Sequence, residues 1–388
     1  MKILLVCNYF QPQFAYAESE VGKALKRLGH TVEIITSDRY FPFPNYQTTV
    51  KKVLGDRIIG ASQKKEAGIQ VTRKKVYFEL FARSCFFGIF TKIKNFKPDI
   101  VLSFGLTTPS NIQVSVCKYF FNFKFIGVDS HLPSELFSSN KTLKKVFYFL
   151  FRIFFSKYIE SKIDKIVSTQ EGTTLVIEKY YGLHKNISLV SHGTDATLFK
   201  FNKKFREETR KKYSLKSTDF LIIYTGKVIE SKGVHILTQS LSELLKKYKN
   251  IFLLIVGSGP EEYNKKCLKT LSSLAQKNTI WEEIKKHRDL PKYYNAADLA
   301  IWPLQESLSM NDAAACELPF IANDKIGVKE RISNENALLY KTGNAKDLAK
   351  KIELLYLNPQ KRKKMGKNGR QLVDEKLSWK KVAQRYIV

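Results

Sequence analysis

The sequence predicts an α/β protein built from two Rossmann-like, doubly wound domains that face a shared cleft. The chain has 388 residues, more than one hydrophobic core usually holds, and its apolar share of 44% is that of a globular protein. A strand–loop–helix–strand pattern opens the chain and starts again near residue 220. Short apolar strands that alternate with helices indicate a parallel sheet covered by helices. We predict domains over residues 1–200 and 201–365, followed by a helical segment over 366–388.

The first domain begins with Lys2–Cys7, a short apolar run typical of a buried parallel strand. A loop containing Pro12 follows, and residues 17–28 place apolar residues at helical spacing. Gly29 ends this helix, and residues 31–36 alternate as the second strand. This order is that of a nucleotide-binding βαβ unit.

The middle of this domain is less regular. Residues 39–75 mix aromatic, proline and basic residues without clear periodicity, and we predict a long variable loop with short strands. Further strands are predicted over 98–103, 125–128 and 164–168. His131 follows the second of these, at the edge where open parallel sheets bind ligands. We interpret it as a ligand-contacting residue, with a structural histidine as the alternative.

Basic and aromatic residues alternate in two long stretches, 76–97 and 141–163, and in a short one, 118–125, of a chain whose net charge is +30. As a helix, residues 143–163 place Lys145, Arg152 and Ser156 on one stripe. The opposite side carries large apolar residues: Phe147, Leu150, Phe151, Phe154 and Tyr158. This arrangement fits an interfacial helix on anionic lipid, and a core helix with basic flanks is the equal alternative.

The second domain is predicted to follow a linker over residues 200–218, which are charged and poor in apolar residues. A strand over 220–224 leads into a loop that holds Gly226, Lys227 and Lys232, and a helix follows over 234–245. Two lysines on a glycine-containing strand-to-helix loop can neutralise a diphosphate. We therefore predict phosphate binding here, with solvated lysines as the alternative.

A second polar loop follows the predicted strand 298–302. Glu306 and Asp312 stand on either side of it, and we expect a helix to begin at Asp312 and to end before Pro319. The two acids could bind the hydroxyl groups of a sugar, while the amides of the loop face an anion such as its phosphate. A capped helix with solvated acids is the alternative. Gly257 opens a further Gly-x-Gly turn after the strand 252–256, which by itself is a weak nucleotide signal.

Several motifs resemble glycosyltransferase family 4, the group 1 glycosyltransferases of GT-B fold. The start, "MKILLVCNYFQPQ" followed by "GKALKRLGHTVEIITS", and the strand "KPDIVLSFG" match that family's first domain. The segment "SHGTDATLF" resembles its "nGvD…F" signature, in which Gly193 would permit the turn, Asp195 would cap the next segment and Phe199 would pack. Gly226–Gly233 resembles its donor-phosphate motif, and the resemblance extends over essentially the whole chain.

The resemblance implies a retaining, metal-independent glycosyltransferase that uses a nucleotide-sugar donor and no other cofactor. The first domain would bind the acceptor, the second would bind the donor, and the last helix would cross back to the first domain. The implied catalytic residues are His131, Lys227, Lys232 and Glu306. The implied donor-binding residues are Ala15, Tyr16, Gly226, Lys227, Lys232, Gly257, Ser307, Leu308, Ser309, Met310 and Asp312, the last holding the ribose.

This chain departs from the family pattern at four places. Ala15-Tyr16 replaces a Gly-Gly pair, Lys227 replaces an arginine that could bind a phosphate bidentately, and Glu317 replaces a glycine. Asp312 replaces a glutamate, and the spacing from Glu306 to Asp312 is two residues shorter than the family's.

The expected partners are a nucleotide sugar, a saccharide or lipid-linked acceptor, and an anionic membrane surface contacted by 76–97 and 141–163. The five scattered cysteines indicate reduced core thiols, and we expect neither a signal peptide nor a membrane-spanning helix. A cytoplasmic protein on the inner membrane face, active in bacterial surface polysaccharide synthesis, is the resulting expectation. No Asp-x-Asp motif or His/Cys cluster predicts a metal site.

Two other functions remain open on the sequence. One is a Rossmann-type nucleotide-sugar epimerase or oxidoreductase, although neither βαβ start carries a full G-x-G-x-x-G. The other is a basic nucleic-acid-binding protein, which the net charge favours but which no helix-turn-helix, RNA-binding or zinc motif supports. We expect no nucleic-acid partner.

Overall fold

The chain forms two compact α/β units in a computed structural model that describes residues 1–136 and 141–388. The first unit consists of Met1–His192 together with Val382–Val388, and the second of Gly193–Lys381. The division falls after residue 192, eight residues before the sequence-based boundary at 200, because the segment from Gly193 onwards packs with the second unit. Phe199, for example, is fully buried in the core of that unit.

The first unit is an eight-stranded sheet with helices, plus a separate two-stranded hairpin. Its strands are β1 (Lys2–Cys7), β2 (Thr31–Ser37), β3 (Ser62–Glu66), β4 (Ile69–Lys74), β5 (Val76–Leu80), β6 (Arg83–Phe86), β7 (Ile100–Phe104), β8 (Lys124–Asp129), β9 (Lys165–Ser168) and β10 (Ile187–Leu189). Its helices are α1 (Ala17–Arg27), α2 (Tyr46–Thr49), α3 (Lys51–Leu54), α4 (Ile89–Phe96), α5 (Pro109–Cys117), α6 (Pro133–Leu136), α7 (Lys141–Phe151), α8 (Lys157–Lys162) and α9 (Glu171–Val176). Two π-helical segments, Arg152–Ser156 and Ile177–Tyr181, continue α7 and α9.

The large sheet has the strand order β10-β9-β8-β7-β1-β2-β4-β3, and all pairs are parallel except β3–β4. The central strand β1 is buried along almost its whole length, as its apolar run predicts for a strand covered on both faces. Parallel pairing places the carboxyl ends of β1, β7 and β8 at one edge, where ligands bind in open α/β sheets.

The region predicted as a long loop, residues 39–75, contributes more to this sheet than expected. Its strand β4 pairs in parallel with β2 and buries Ile69 and Val71. The alternation of apolar and polar residues along β4 is not visible in the sequence, because the basic residue Arg73 is also buried there. Its guanidinium is bonded to Glu66 and to the Phe10 carbonyl. Short strands were predicted in this region, and the structure confirms them.

The second unit is a six-stranded sheet with helices. Its strands are β11 (Phe220–Thr225), β12 (Ile251–Val256), β13 (Thr279–Glu282), β14 (Leu299–Trp302), β15 (Phe320–Asn323) and β16 (Ala337–Tyr340). Its helices are α10 (Lys203–Lys212), α11 (Val234–Leu244), α12 (Glu261–Lys269), α13 (Ser273–Lys277), α14 (Leu290–Ala296), α15 (Ser309–Ala315), α16 (Ala345–Leu357), α17 (Pro359–Leu372) and α18 (Trp379–Ile387), the last of which belongs to the first unit from Val382 onwards. Short 3₁₀ turns lie at Glu230–Lys232, His287–Asp289 and Lys329–Ile332, and a π-helical segment at Val373–Leu377.

This second sheet is entirely parallel, in the order β13-β12-β11-β14-β15-β16. The order runs outward in both directions from β11, so the loops after β11 and β14 lie side by side at the carboxyl edge. This is the place where the connections of a doubly wound sheet diverge and where such sheets bind their ligands.

The predicted linker over residues 200–218 was wrong, because most of it is helix α10, packed on α14. Arg206 and Arg210 both bond to the Asp298 carboxylate, and Arg210 is buried. The segment is poor in apolar residues because its arginines satisfy carbonyl groups at the end of α14 instead of filling a core. A low apolar content therefore marked a polar docking surface here, and not a flexible connection.

Residues 141–163 form the predicted helix, with a π-helical turn in its middle. One face is buried, with Tyr148, Phe151 and Ile159 in the core of the first unit. Ser156 is also buried, with its hydroxyl hydrogen-bonded to the Tyr181 carbonyl, so it does not belong to the exposed basic stripe that we predicted. The extra residue of the π turn rotates the helix between its two halves.

No helix in the described ranges 1–136 and 141–388 has the length and apolar character needed to cross a bilayer. All five cysteines are buried, as predicted for core thiols.

Candidate functional site

The loop after β11 borders a cavity of about 330 Å³ in the second unit. Its lining combines the ends of β11 and β14 with three residues of the predicted phosphate-binding loop and one of the neighbouring loop: Tyr224, Thr225, Gly226, Lys227, Lys232, Trp302 and Ser307. The structure thus brings Gly226, Lys227, Lys232 and Ser307 together around one space, as the sequence predicted. The two loops meet because β11 and β14 are adjacent strands.

Two aromatic side chains fix the shape of this loop by donating hydrogen bonds to its backbone carbonyl groups. The Tyr224 hydroxyl donates to the Lys227 carbonyl at 2.7 Å, and the Trp302 indole N–H donates to the Thr225 carbonyl at 3.0 Å. Both aromatic side chains are fully buried. The cavity wall is therefore held in place without a ligand, which lowers the cost of ordering it on binding.

Gly257 belongs to this site through a close backbone approach. A Cβ atom at this position would lie 1.8 Å from the Gly226 carbonyl oxygen, and one at Gly259 would lie 1.7 Å from the Val228 carbonyl oxygen. The Val228 N–H also donates to the Ser258 carbonyl at 3.0 Å. The Gly-x-Gly turn thus serves as the packing surface of the lysine-bearing loop.

The two lysines differ in environment. Lys227 is exposed, whereas Lys232 is partly buried and its ammonium donates to the Glu306 carbonyl at 3.2 Å. Burial lowers the pKa of Lys232, and the neighbouring charges of Lys227 and Arg331 lower it further, against the opposing effect of Glu306. Clustered cations repel one another, and an anion in the space between them relieves that repulsion.

Glu306 is held by a partner that we did not predict. Its carboxylate accepts hydrogen bonds from Arg331 at 2.7 Å and from the Gly327 N–H at 3.2 Å. Burial lowers the pKa of Arg331, and the charge of Glu306 opposes that effect. Contact of Glu306 with a donor sugar stays a prediction, because in this structure both carboxylate oxygens bond to protein groups.

Asp312 lies inside helix α15, which begins at Ser309, so our prediction of a helix start at Asp312 was three residues late. Asp312 is buried, and its carboxylate accepts a hydrogen bond from the Thr194 hydroxyl. Its other oxygen lies 2.9 Å from His287 Nε2. Neither Thr194 nor His287 was singled out from the sequence, and the role of Asp312 in holding a ribose stays a prediction.

The loop amides expected to face an anion are partly engaged. The Met310 N–H donates to the Ser307 carbonyl at 3.1 Å, and the Ser309 N–H lies 3.3 Å from the Ser307 hydroxyl oxygen. Within the described ranges, the N–H groups of Ser307 and Leu308 have no protein acceptor. Ser307 is the member of this loop that lines the cavity.

In the first unit, His131 lies just past β8, at the carboxyl edge of the sheet, as predicted. Its Nδ1 is 2.8 Å from the Asp129 carboxylate, which also accepts hydrogen bonds from the N–H groups of His131 and Leu106. Burial acts to raise the pKa of Asp129, but the charge and hydrogen bonds of His131 and the Leu106 N–H outweigh it and hold that pKa below its ordinary value. Asp129 therefore orients the His131 ring.

Ala15 and Tyr16 lie between β1 and α1, at the same edge. Tyr16 is exposed and precedes the first residue of α1. Glu18, in the first turn of this helix, was not predicted as a site residue, and burial raises its pKa to about 7. A carboxyl group with this pKa can gain or lose a proton near neutral pH, and only its position after the βαβ loop signalled it in the sequence.

No group of three or more potential ligands from His, Cys, Asp and Glu occurs among the residues that the structure describes.

The comparison with known families agrees with the geometry of the second unit. Residues 205–372 match the family described as "Glycosyl transferases group 1". That range contains the cavity and both of its loops. The predicted membership of family 4 within the group 1 transferases stays a prediction.

Two curated relatives match about half of the chain. Spore coat protein SA of Bacillus subtilis (strain 168) is 27% identical over 195 residues, which cover 47% of this chain and 51% of the relative. The capsular polysaccharide biosynthesis glycosyltransferase CapM of Staphylococcus aureus is 28% identical over 204 residues, covering 50% of this chain and 53% of the relative. The chain thus spans about half the length of these relatives.

Among solved structures, HepE of Anabaena in complex with UDP superimposes on 100% of this chain and 98% of its own with a TM-score of 0.69, at 14% identity. This likeness shows the fold. Together with the two parallel-sheet units, it confirms the predicted GT-B class with two Rossmann-like domains.

Proposed function

We propose that this protein is a retaining glycosyltransferase that moves a sugar from a nucleotide-sugar donor to a glycan or lipid-linked saccharide. The observation that carries the proposal is the cavity lined by Gly226, Lys227 and Lys232 within the segment that matches the group 1 transferases. Two ammonium groups at one cavity suit a diphosphate, whose negative charge grows as it leaves the sugar.

In the proposed reaction, the bond between the anomeric carbon and the donor phosphate oxygen breaks. The acceptor hydroxyl oxygen forms the new bond on the same face of the sugar, and its proton passes to an oxygen of the leaving diphosphate. Lys227 and Lys232 stabilise the departing charge, so that the reaction needs neither a metal nor another cofactor. His131, fixed by Asp129, contacts the transferred sugar, and Glu306 contacts its hydroxyl groups, as in the family that the sequence resembles.

The setting that we propose is bacterial surface polysaccharide synthesis, because the relative CapM is a capsular polysaccharide biosynthesis glycosyltransferase. The acceptor is bound by the first unit, on a cytoplasmic protein that rests on the inner face of the membrane. Large apolar side chains are exposed in both basic stretches, among them Tyr77, Phe87, Phe149 and Phe154. Between residues 141 and 163, six Lys or Arg accompany a single Glu, which suits an anionic lipid surface.

Thermal unfolding in the presence of UDP-, GDP- and ADP-sugars tests the donor proposal. The screen begins with UDP-sugars because the solved HepE holds UDP. A ligand that binds only the folded state raises the unfolding midpoint in proportion to its affinity, so one nucleotide class should raise it by several degrees. A protein that none of the three classes stabilises contradicts the proposal.

Lys232→Ala provides the matched variant. Loss of one charge-assisted contact should weaken nucleotide-sugar affinity roughly 10- to 100-fold and abolish turnover while the fold stays intact. Lys246→Ala is the control, since Lys246 is an exposed lysine of the same unit, paired with Glu243 on the surface. Equal nucleotide-sugar binding by Lys232→Ala and Lys246→Ala would place the phosphates elsewhere.

A further inference from the structure

An apolar groove in the first unit lies outside the site described above. It has a volume of about 190 Å³ and lies between the β5–β6 hairpin, the start of α5 and the helix formed by α7 and its π-helical continuation. Its lining is almost entirely hydrophobic: Phe78, Leu80, Arg83, Thr107, Pro109, Ile112, Phe147, Leu150, Phe151 and Phe155.

The groove has a buried end and an open end. Phe151, Arg83 and Thr107 are buried, whereas Leu80 is 53% exposed and Leu150 is 44% exposed on opposite walls. Phe78 and Phe155 are also exposed. Large apolar side chains therefore continue from the groove onto the protein surface, where Phe149 and Phe154 lie on the same helix. A long chain lying in the groove can leave it without meeting a polar wall.

The single charged side chain in this lining is Arg83, at the buried end. Its guanidinium donates to the Thr107 hydroxyl at 3.0 and 2.8 Å, to the Phe81 carbonyl at 3.0 Å and to the Tyr148 hydroxyl at 2.8 Å. It also lies 4.9 Å from the Phe147 ring centre. All these acceptors are neutral. A buried cation in such surroundings gains from an anion that enters the groove.

The guanidinium retains capacity for such an anion. Four hydrogen bonds use Nε–H, both N–H groups of Nη2 and one of the two on Nη1, so one of the five donors has no acceptor among the residues that the structure describes. Burial lowers the pKa of Lys144, and the charge of Arg83 lowers it further. Lys144 is therefore a second cation close to Arg83.

The buried end of the groove also adjoins the predicted acceptor edge of the sheet. Thr107 directly follows Leu106, whose N–H donates to the Asp129 carboxylate at 3.1 Å. Asp129 in turn holds His131. Thr107 is thus connected through Leu106 and Asp129 to His131, the residue that we assign to the transferred sugar.

We infer that this groove binds the hydrocarbon chain of a phosphate-bearing amphiphile, with its phosphate at Arg83 and Thr107. The inference rests on the proposed function, because it names the acceptor's class: a saccharide joined through phosphate to a long apolar chain. The order of groups along the groove is that of such a molecule, with the saccharide toward His131, the phosphate at Arg83 and the chain toward the exposed aromatic surface.

Calorimetric titration with n-dodecyl phosphate below its micelle concentration tests the inference. We expect saturable binding at one site, and at least about tenfold weaker binding of dodecanol and of inorganic phosphate, each of which lacks one half of the recognition. Equal affinities for dodecanol and dodecyl phosphate would show that the phosphate is not bound at Arg83, and would overturn that part of the inference. Absence of dodecyl phosphate binding would overturn the inference.

Two wall variants locate the site. Leu80→Asp and Leu150→Asp change opposite walls at partly exposed positions, and each should weaken dodecyl phosphate binding at least about tenfold. Leu175→Asp is the control, since Leu175 is 59% exposed on α9 of the same unit and does not line the groove. If all three variants lose binding equally, the amphiphile binds the general surface and the groove assignment is wrong.

Arg83→Gln should abolish the preference for dodecyl phosphate over dodecanol while binding to dodecanol persists. Because Arg83 is buried, circular dichroism first establishes that this variant folds, and the wall variants decide the matter if it does not. Sedimentation of the wild-type protein addresses a second copy as the occupant: a dimer that binds no dodecyl phosphate and that Leu150→Asp dissociates would overturn the inference.

These titrations need no donor, so the two proposals fail separately. Nucleotide-sugar stabilisation without dodecyl phosphate binding rejects the groove and leaves the transferase proposal in place. Dodecyl phosphate binding without nucleotide-sugar stabilisation rejects the transferase proposal, and the groove then remains as a lipid-phosphate site.

Discussion

At the scale of single residues, the ion pair between Glu306 and Arg331 controls where the loop after β14 places its first acid. Arg331 is buried and lies on the 3₁₀ turn Lys329–Ile332, and its guanidinium bonds to Glu306 at 2.7 Å. Removing one member of such a pair leaves the other charge without compensation, which costs more than removing both.

We therefore expect Arg331→Met to destabilise the protein by about 2–4 kcal/mol and to weaken nucleotide-sugar binding. The double variant Arg331→Met/Glu306→Gln should recover part of the lost stability, because no carboxylate is then left unpaired. Urea unfolding of the wild type and the single and double variants measures the coupling. If the losses of the single variants simply add, the pair does not position Glu306.

Glu18 is expected to make the stability of the first unit against unfolding depend on pH. Its folded-state pKa of about 7 lies above the ordinary value of 4.5, because burial disfavours the charged form. The folded state therefore binds the proton more tightly than the unfolded state. The resulting contribution to stability is present at pH 4.5 and below, and it is lost as the pH rises towards and through 7.

Glu18→Gln removes this ionisation. Relative to the wild type, the variant should gain about 1–3 kcal/mol between pH 5 and pH 8, the lower figure allowing for the partial exposure of Glu18. The wild-type and variant unfolding midpoints at the two pH values provide the measurement. The control is Glu207→Gln, an exposed glutamate on α10, which should show the same difference at both pH values. A constant difference for Glu18→Gln as well would mean that Glu18 ionises normally in the folded protein.

At the scale of elements, the strands and helices were predictable where apolar residues follow one clear period. β1, β11 and β14 are continuous apolar runs, and the structure confirms all three. α10 was missed because its docking uses arginines and carbonyl groups, and periodicity of apolar residues does not record such contacts. The helix start at α15 was misplaced because its first turn has no side-chain cap to signal it.

The separation of interacting residues along the chain explains which parts of the site could be predicted. Lys227 and Lys232 stand close together in the chain, so a local motif identifies them. Arg331, Thr194 and His287 reach the site from distant segments, and a single sequence contains no record of those pairings. Gly193 was correctly expected to need glycine, but for another reason: a Cβ there would lie 2.9 Å from the Trp379 nitrogen.

The contact between the Gly-x-Gly turn and the lysine-bearing loop yields a prediction for these two elements. Gly257→Ala places a methyl group 1.8 Å from the Gly226 carbonyl oxygen, so the two loops must separate. We expect a loss of about 1–3 kcal/mol in stability, and loss of the nucleotide-sugar effect on thermal unfolding. Gly343→Ala is the control, since it has a positive φ of 80° but no atom within 4 Å, and it should lower stability by about 1 kcal/mol without affecting binding.

At the scale of the whole molecule, the net charge and the exposed apolar surface both contribute to the proposed membrane association. In the proposed membrane association, the net charge of +30 would provide a long-range attraction to anionic surfaces, and the exposed aromatic residues of stretches 76–97 and 141–163 would provide short-range insertion. The two contributions respond differently to salt, because screening weakens the first and leaves the second. Binding to vesicles should therefore need both.

Flotation with vesicles of phosphatidylglycerol and phosphatidylcholine tests this membrane proposal. We expect the wild-type protein to float at 50 mM NaCl (roughly a 14 Å screening length) and largely to dissociate near 0.5 M, where screening reaches about 4 Å. Ile153→Asp should reduce the bound fraction several-fold because it places a carboxylate in the apolar surface. Leu357→Asp is the matched control, since Leu357 lies in the second unit and both side chains are 56% exposed. If the wild-type protein stays unbound at low salt, or if both variants lose binding equally, stretch 141–163 does not contact the membrane.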